Sequence, residues 1–84
     1  EFFFVYMIAA KKNNQLISYV GYTNNLNNRL KKHNTGKGAK STRGLQWFYI
    51  FSKKFKTKKD AMKYEYFLKK NKKLRKKIKE NYVF

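Results

Sequence analysis

The run Phe2–Ala10 is the feature that most narrows what this chain can become. It is uninterrupted apolar sequence carrying Val5 and Ile8. A membrane span needs about 20 such residues, and the run has no basic leader that would mark a secretory signal. A strand buried on both faces is the element that fits. Elements must then exist to cover both sides of it. The polar cluster Lys11-Lys12-Asn13-Asn14-Gln15 suits a hairpin loop, and Leu16–Tyr22, closing at Gly21, reads as a second strand. Thr23 or Asn24 can cap a helix reaching about Asn34, with Gly36 just past its end. Gly36–Gly44 holds three glycines and three basic residues and reads as a loop that orders on binding. Leu45–Phe51, rich in aromatics, is expected to be a third strand. Thr57-Lys58-Lys59-Asp60 resembles a capping box opening a helix to about Lys70. Lys72–Asn81, with Leu74 and Ile78 one turn apart, predicts a short basic amphipathic helix. There is no proline and no internal repeat. The order β-β-α-β-α-α predicts an α+β domain, a small antiparallel sheet flanked by helices.

Eighty-four residues make one domain, expected to span 1–84, and 42% apolar content is enough for one modest core without a disulfide or a structural metal. Absence of cysteine excludes disulfide frameworks and thiolate zinc sites, and a single histidine excludes a multi-histidine metal centre. The charge is more informative. Twenty-two Lys and Arg stand against four acids, Glu1, Asp60, Glu65 and Glu80, for a formal +18. A polyanion is the expected partner, because each phosphate neutralised releases counterions. An AT-rich genome would also favour Lys, Asn, Tyr, Phe and Ile, but it would equally favour Glu, which is scarce. An anionic membrane surface met through Lys69–Lys79 is the weaker reading, and no membrane association is expected. With a nucleic-acid partner, cytoplasm or nucleoid is the expected location.

Three groups of residues could carry chemistry. Tyr6 and Tyr19 lie on successive strands, and any register whose paired numbers sum to an odd value puts both on one face. A tight loop centred on Lys12-Asn13 would set them directly opposite. A plain cross-strand aromatic pair, worth about 0.2–1 kcal/mol, would look the same. Arg29 and His33, at i and i+4, flank the stripe of Leu26 and Leu30. Arg29 could hold a phosphate by its planar fork of donors, or simply snorkel; His33 could meet helix-end carbonyls. Glu65 falls on the inward stripe of Ala61, Tyr64 and Leu68, where an unpaired carboxylate is costly. It either closes a salt bridge or holds a hard cation such as Mg²⁺, which takes few protein ligands. The loop Asn34–Arg43 offers backbone donors, hydroxyls and cations to a phosphate backbone, without the spacing of a P-loop.

Together these blocks resemble the GIY-YIG endonuclease superfamily. Phe4-Val5-Tyr6 stands at the first signature triplet and Tyr19-Val20-Gly21 at the second. The stretch from Tyr19 to His33, the Gly36–Arg43 run and the Lys59–Glu65 segment are also similar, so the likeness covers nearly the whole chain. It is nearest the small single-domain, excision-repair-like branch. The resemblance implies a three-stranded antiparallel sheet and a phosphodiester hydrolase dependent on Mg²⁺ or Mn²⁺. It makes Tyr6 and Tyr19 the signature tyrosines, Arg29 the contact to the scissile phosphate, His33 an assistant to a tyrosine or the attacking water, Glu65 the metal ligand and Gly21 the glycine beneath them. Lys37, Lys40, Thr42, Arg43, Lys69 and Lys70 are expected on the nucleic-acid backbone, with DNA favoured over RNA and branched or damaged DNA, as in repair, the expected substrate. Crowding by Arg29, metal and lysines should lower the Tyr6 pKa, so that Tyr6, helped by His33, could take the water's proton while Tyr19 orients the water or the phosphate; which tyrosine does which job is left open by the sequence. Phe4 stands where the first triplet has glycine, and Ser41 where the small branch often has tyrosine. The competing reading is a non-catalytic basic nucleic-acid-binding protein on the same fold. A partner protein or parent domain is left open.

Overall fold

The computed structural model describes residues 1–82. Its elements are β1 (Phe3–Lys12), β2 (Gln15–Thr23), α1 (Leu26–Asn34), a 3₁₀ turn (Lys40–Thr42), β3 (Phe48–Phe55), α2 (Lys58–Lys70) and α3 (Lys72–Asn81). The three strands form an antiparallel sheet in the order β2-β1-β3. The apolar run is therefore the central strand, and Val5 through Ala10 have no exposed surface at all. Alternation along β1 divides the interior in two. Val5 and Met7 point to one face, where Val20 and the helical residues Ala61 and Leu68 cover them, with Leu74 and Ile78 of α3 packed alongside. Tyr6, Ile8 and Ala10 point to the other, covered by Trp47, Leu26 and Leu30. No helix among the described residues is long and apolar enough to cross a membrane.

The hairpin turns on Asn13-Asn14, both at positive φ (52° and 64°), the conformation that matches the strands' twist and that asparagine tolerates. The turn sits one residue further on than a loop centred on Lys12-Asn13. Tyr6 consequently pairs with Gly21, and Tyr19 with Ile8, rather than with each other. The register keeps the odd-sum class, so both tyrosines still share a face as diagonal neighbours.

Several features differ from the sequence reading. The α1 cap is Asn25, whose side chain accepts from the Asn28 amide at 3.0 Å, while Thr23 braces the cap by accepting from the Asn25 amide at 3.1 Å. Strand β3 starts and ends later than Leu45–Phe51. Its Ser52-Lys53-Lys54 stretch looks like loop but lies exposed on an edge strand, where lysines deter further pairing. Lastly, the loop expected to order on a ligand is folded onto the protein's own groups. Asn34 accepts from the Trp47 amide at 2.6 Å and donates to its carbonyl at 3.1 Å, and the Trp47 indole N–H donates to the Thr42 carbonyl at 2.7 Å. Helix α2 opens as expected, Thr57 accepting from the Asp60 amide at 3.1 Å.

Candidate functional site

The site grows from the β1–β2 pairing. Tyr6 lies over Gly21, its cross-strand partner, because no side chain stands there; a Cβ at position 21 would overlap the phenol oxygen. The hydroxyl so placed meets two groups carried by α1. Arg29 Nε donates to it at 3.1 Å, and His33 Nε2 lies 2.8 Å away. The i, i+4 spacing of Arg29 and His33 brings both to the one oxygen. His33 Nδ1 is 2.9 Å from Thr42 Oγ1, which donates to the Ala39 carbonyl at 2.8 Å. Gly38 walls this side, where a Cβ would overlap His33 Nδ1. Tyr19 completes the group with its ring edge to His33 at 5.2 Å, and Tyr49 packs against Tyr6 at 5.6 Å. Tyr6, His33 and Thr42 have no exposed surface, whereas Tyr19 and Arg29 remain half-buried.

Burial governs the protonation states. The Tyr6 pKa is raised: loss of hydration outweighs the Arg29 hydrogen bond and charge, which pull the other way. Arg29 alone therefore does not bring it below the ordinary value. Burial likewise pushes Tyr49 up to about 12 and, with the Arg29 charge assisting, pushes His33 down. Arg29 is raised by its hydrogen bond to Tyr6.

Tyr6, Tyr19, Arg29 and His33 are thus brought together. Glu65 comes from α2, which packs mainly against the other face, and its charge reaches Tyr6 as a minor upward push. Its side chain is 18% exposed and forms an ion pair at 3.5 Å with Lys69, which is 48% exposed. Lys37, Lys40, Arg43, Lys69 and Lys70 are exposed, as a phosphate-facing role needs. Thr42 is not: it is fully buried with its hydroxyl engaged inside, so the expectation that it contacts nucleic acid is corrected.

Other residues went unnoticed in the sequence. Arg29 borders two clefts, one of about 160 Å³ lined also by Asn24, Asn28 and Lys32, and one of about 400 Å³ lined also by Phe3, Tyr22 and Lys58. Lys58 had a legible signal, since a cation in the first turn of a helix opposes the helix dipole and needs another reason to be there. Trp47 and Asn34, which lock the loop, had none.

Concerning a metal, the donor set is sparse: among the described residues no three His, Cys, Asp or Glu side chains gather. That does not fit a zinc-type cage. It fits a hard ion held by one carboxylate and completed by water and phosphate oxygens. Glu65 suits this, being partly covered while its lysine partner is free to swing into solvent.

The chain matches the GIY-YIG catalytic domain over residues 2–79. It is 44% identical over 81 residues to the UPF0213 protein YazA of Bacillus subtilis, covering 95% of this chain and 76% of that protein. A UPF0213 protein of Bacillus licheniformis is 50% identical over 66 residues, covering 77% of this chain and 65% of that protein. One from Oceanobacillus iheyensis is 56% identical over 52 residues, covering 61% and 60%. The chain spans less than two thirds of the length of the latter two. No solved structure matches significantly.

Proposed function

Because the chain belongs to the GIY-YIG family, a nuclease family, we propose that it is a divalent-metal-dependent endonuclease that hydrolyses phosphodiester bonds in nucleic acid, with DNA favoured over RNA. The observation that carries this reading is Arg29. Its Nε donates to Tyr6 and the guanidinium also meets the Tyr19 hydroxyl, so it is held in place where it borders clefts lined by Asn24, Asn28, Lys32 and Lys58. A guanidinium held in place and flanked by two lysines suits a phosphate whose charge grows in the transition state.

In the reaction, water attacks phosphorus and a P–O bond breaks. Arg29 steadies the charge on the phosphate oxygens. Tyr6 is buried, has a raised pKa and has its oxygen committed to Arg29 and His33, so it acts as the brace of Arg29 rather than as the base. Tyr19, partly exposed beside Arg29 and His33, takes the water-facing role in this reading. Glu65 would hold Mg²⁺ or Mn²⁺, an ion that supplies Lewis-acid polarisation of the phosphate and stabilises the leaving oxygen. Lys37, Lys40, Arg43, Lys69 and Lys70 hold the flanking backbone by charge, and a branched or damaged DNA is the substrate class the family resemblance favours.

The test is incubation of labelled single-stranded, duplex, flap and branched DNA and RNA with Mg²⁺, Mn²⁺ or chelator. Metal-dependent cleavage that disappears in Arg29→Ala is expected. Binding without cleavage of any substrate in either metal would replace the proposal with that of a non-catalytic nucleic-acid-binding protein.

A further inference from the structure

We propose that Thr42 is a positioning residue of this site: its buried hydroxyl holds His33 in the tautomer with the proton on Nδ1, and through it aims the Tyr6 hydroxyl and Arg29. The assignment follows from counting protons along one line of contacts. Arg29 Nε–H can only donate, so the Tyr6 oxygen accepts there and has its single proton left to give. The acceptor beside it is His33 Nε2, at 2.8 Å. Were Nε2 protonated, the Tyr6 oxygen would receive two donors, and its own proton would be stranded in a site without exposed surface.

The other end of the line gives the same answer independently. Thr42 donates its one hydroxyl proton to the Ala39 carbonyl at 2.8 Å, which leaves Oγ1 only as an acceptor for His33 Nδ1–H at 2.9 Å. A bare Nδ1 would claim the threonine proton and set two oxygens against each other at 2.8 Å with no hydrogen between them. The donors thus run one way, from Arg29 through Tyr6, His33 and Thr42 to the Ala39 carbonyl. Gly38 closes over Nδ1 and the Trp47 indole holds the Thr42 carbonyl at 2.7 Å. The loop therefore serves the site from within, and the hydroxyl in it that looked suited to phosphate instead sets the direction of an interior hydrogen-bond chain.

His33 is the sole histidine in the chain, so long-range ¹H–¹⁵N correlation of imidazoles yields one spin system without further assignment. In the free parent protein at neutral pH, Nδ1 is expected to be protonated and Nε2 to show the shift of an unprotonated nitrogen. Thr42→Ser keeps that pattern; Thr42→Val, nearly the same shape without the hydroxyl, loses it to a mixture of tautomers. The kinetic arm rests on the nuclease reading. There kcat falls on the order of ten- to a hundred-fold in Thr42→Val with KM little changed, and Thr42→Ser restores it. A parent spectrum with Nε2 protonated overturns the proposal, whether or not Thr42→Val folds. A Thr42→Val spectrum identical to the parent's does so too. If no variant cleaves, yet the spectra behave as expected, the nuclease reading fails while the positioning role stands.

Discussion

Replacing Gly21 with alanine tests whether the Tyr6 ring depends on the empty place beneath it. The added Cβ would overlap the phenol oxygen and stand 2.7 Å from Cζ and 3.2 Å from Cε2. A ring tip can usually swing aside, but this one is held by Arg29 and His33 and packed against Tyr49. Either the backbone gives, at about 1–3 kcal/mol for overpacking, or the hydroxyl leaves its partners, stranding buried polar groups at about 1–3 kcal/mol. By either route the expected loss is about 1–3 kcal/mol. A domain of this size loses about 4–8 °C per kcal/mol, so thermal melts followed by circular dichroism should fall by roughly 4–24 °C. Tyr6→Phe in the same background removes the atom in worst collision, so it should cost less there than in the parent, a coupling that a double-mutant cycle resolves. A Gly21→Ala protein melting within about 2 °C of the parent, with no coupling to Tyr6→Phe, would refute the reasoning.

The remaining expectations concern charge. His33, surrounded by Tyr6, Tyr19, Arg29 and Thr42, has a lowered folded-state pKa, so the unfolded chain takes up the proton first; stability should decline as pH falls from about 6.5 until the folded pKa is passed, and His33→Gln should flatten that slope in pH-dependent melts. On the alkaline side Tyr6 and Tyr49 are raised, the unfolded chain releases its protons first, and stability should fall as pH rises from about 10 toward 12. Glu65→Gln should abolish metal-dependent cleavage while nucleic-acid binding persists or tightens. Because its partner Lys69 is half exposed, the melt should move by no more than the equivalent of about 1 kcal/mol; full activity or outright unfolding would remove the metal role. Affinity for duplex DNA should fall with salt at a log–log slope of about −0.9 per phosphate neutralised, less steeply after Lys40→Ala or Arg43→Ala, and a salt-insensitive affinity would exclude this surface.

Much of this arrangement was legible because a few residues admit few alternatives. An apolar run too long for a half-buried strand and too short for a membrane had to be central. Thr57 had to start a helix, and i, i+4 spacing had to put Arg29 beside His33. Other features depend on distances that no local pattern encodes. The one-residue shift of the hairpin came from two asparagines able to adopt positive φ, and it replaced an imagined Tyr6–Tyr19 pair by Tyr6 over Gly21. Strand β3 was cut short because Ser52, Lys53 and Lys54 are polar, and polarity on an edge strand imitates a loop. At Tyr6 the adjacent cation is visible in the sequence, whereas the loss of hydration that outweighs it is not. Thr42 looked like a surface hydroxyl among glycines and lysines until Trp47, five residues on, was seen to draw its turn inward.

That indole makes the protein its own optical instrument. Trp47 is the sole tryptophan in the chain and is 3% exposed, with its N–H bound to the very turn that carries Thr42. Excited at the red edge of the absorption band, where the seven tyrosines do not absorb, the unlabelled protein therefore emits from one place, the joint between the inner loop and the candidate site. A blue-shifted band shielded from acrylamide signifies the loop in place, and a red-shifted, quenchable one signifies its release. Titrations with metal, DNA or acid can each be followed at that single wavelength, so an event at the loop can be told from one elsewhere in the molecule without attaching a dye.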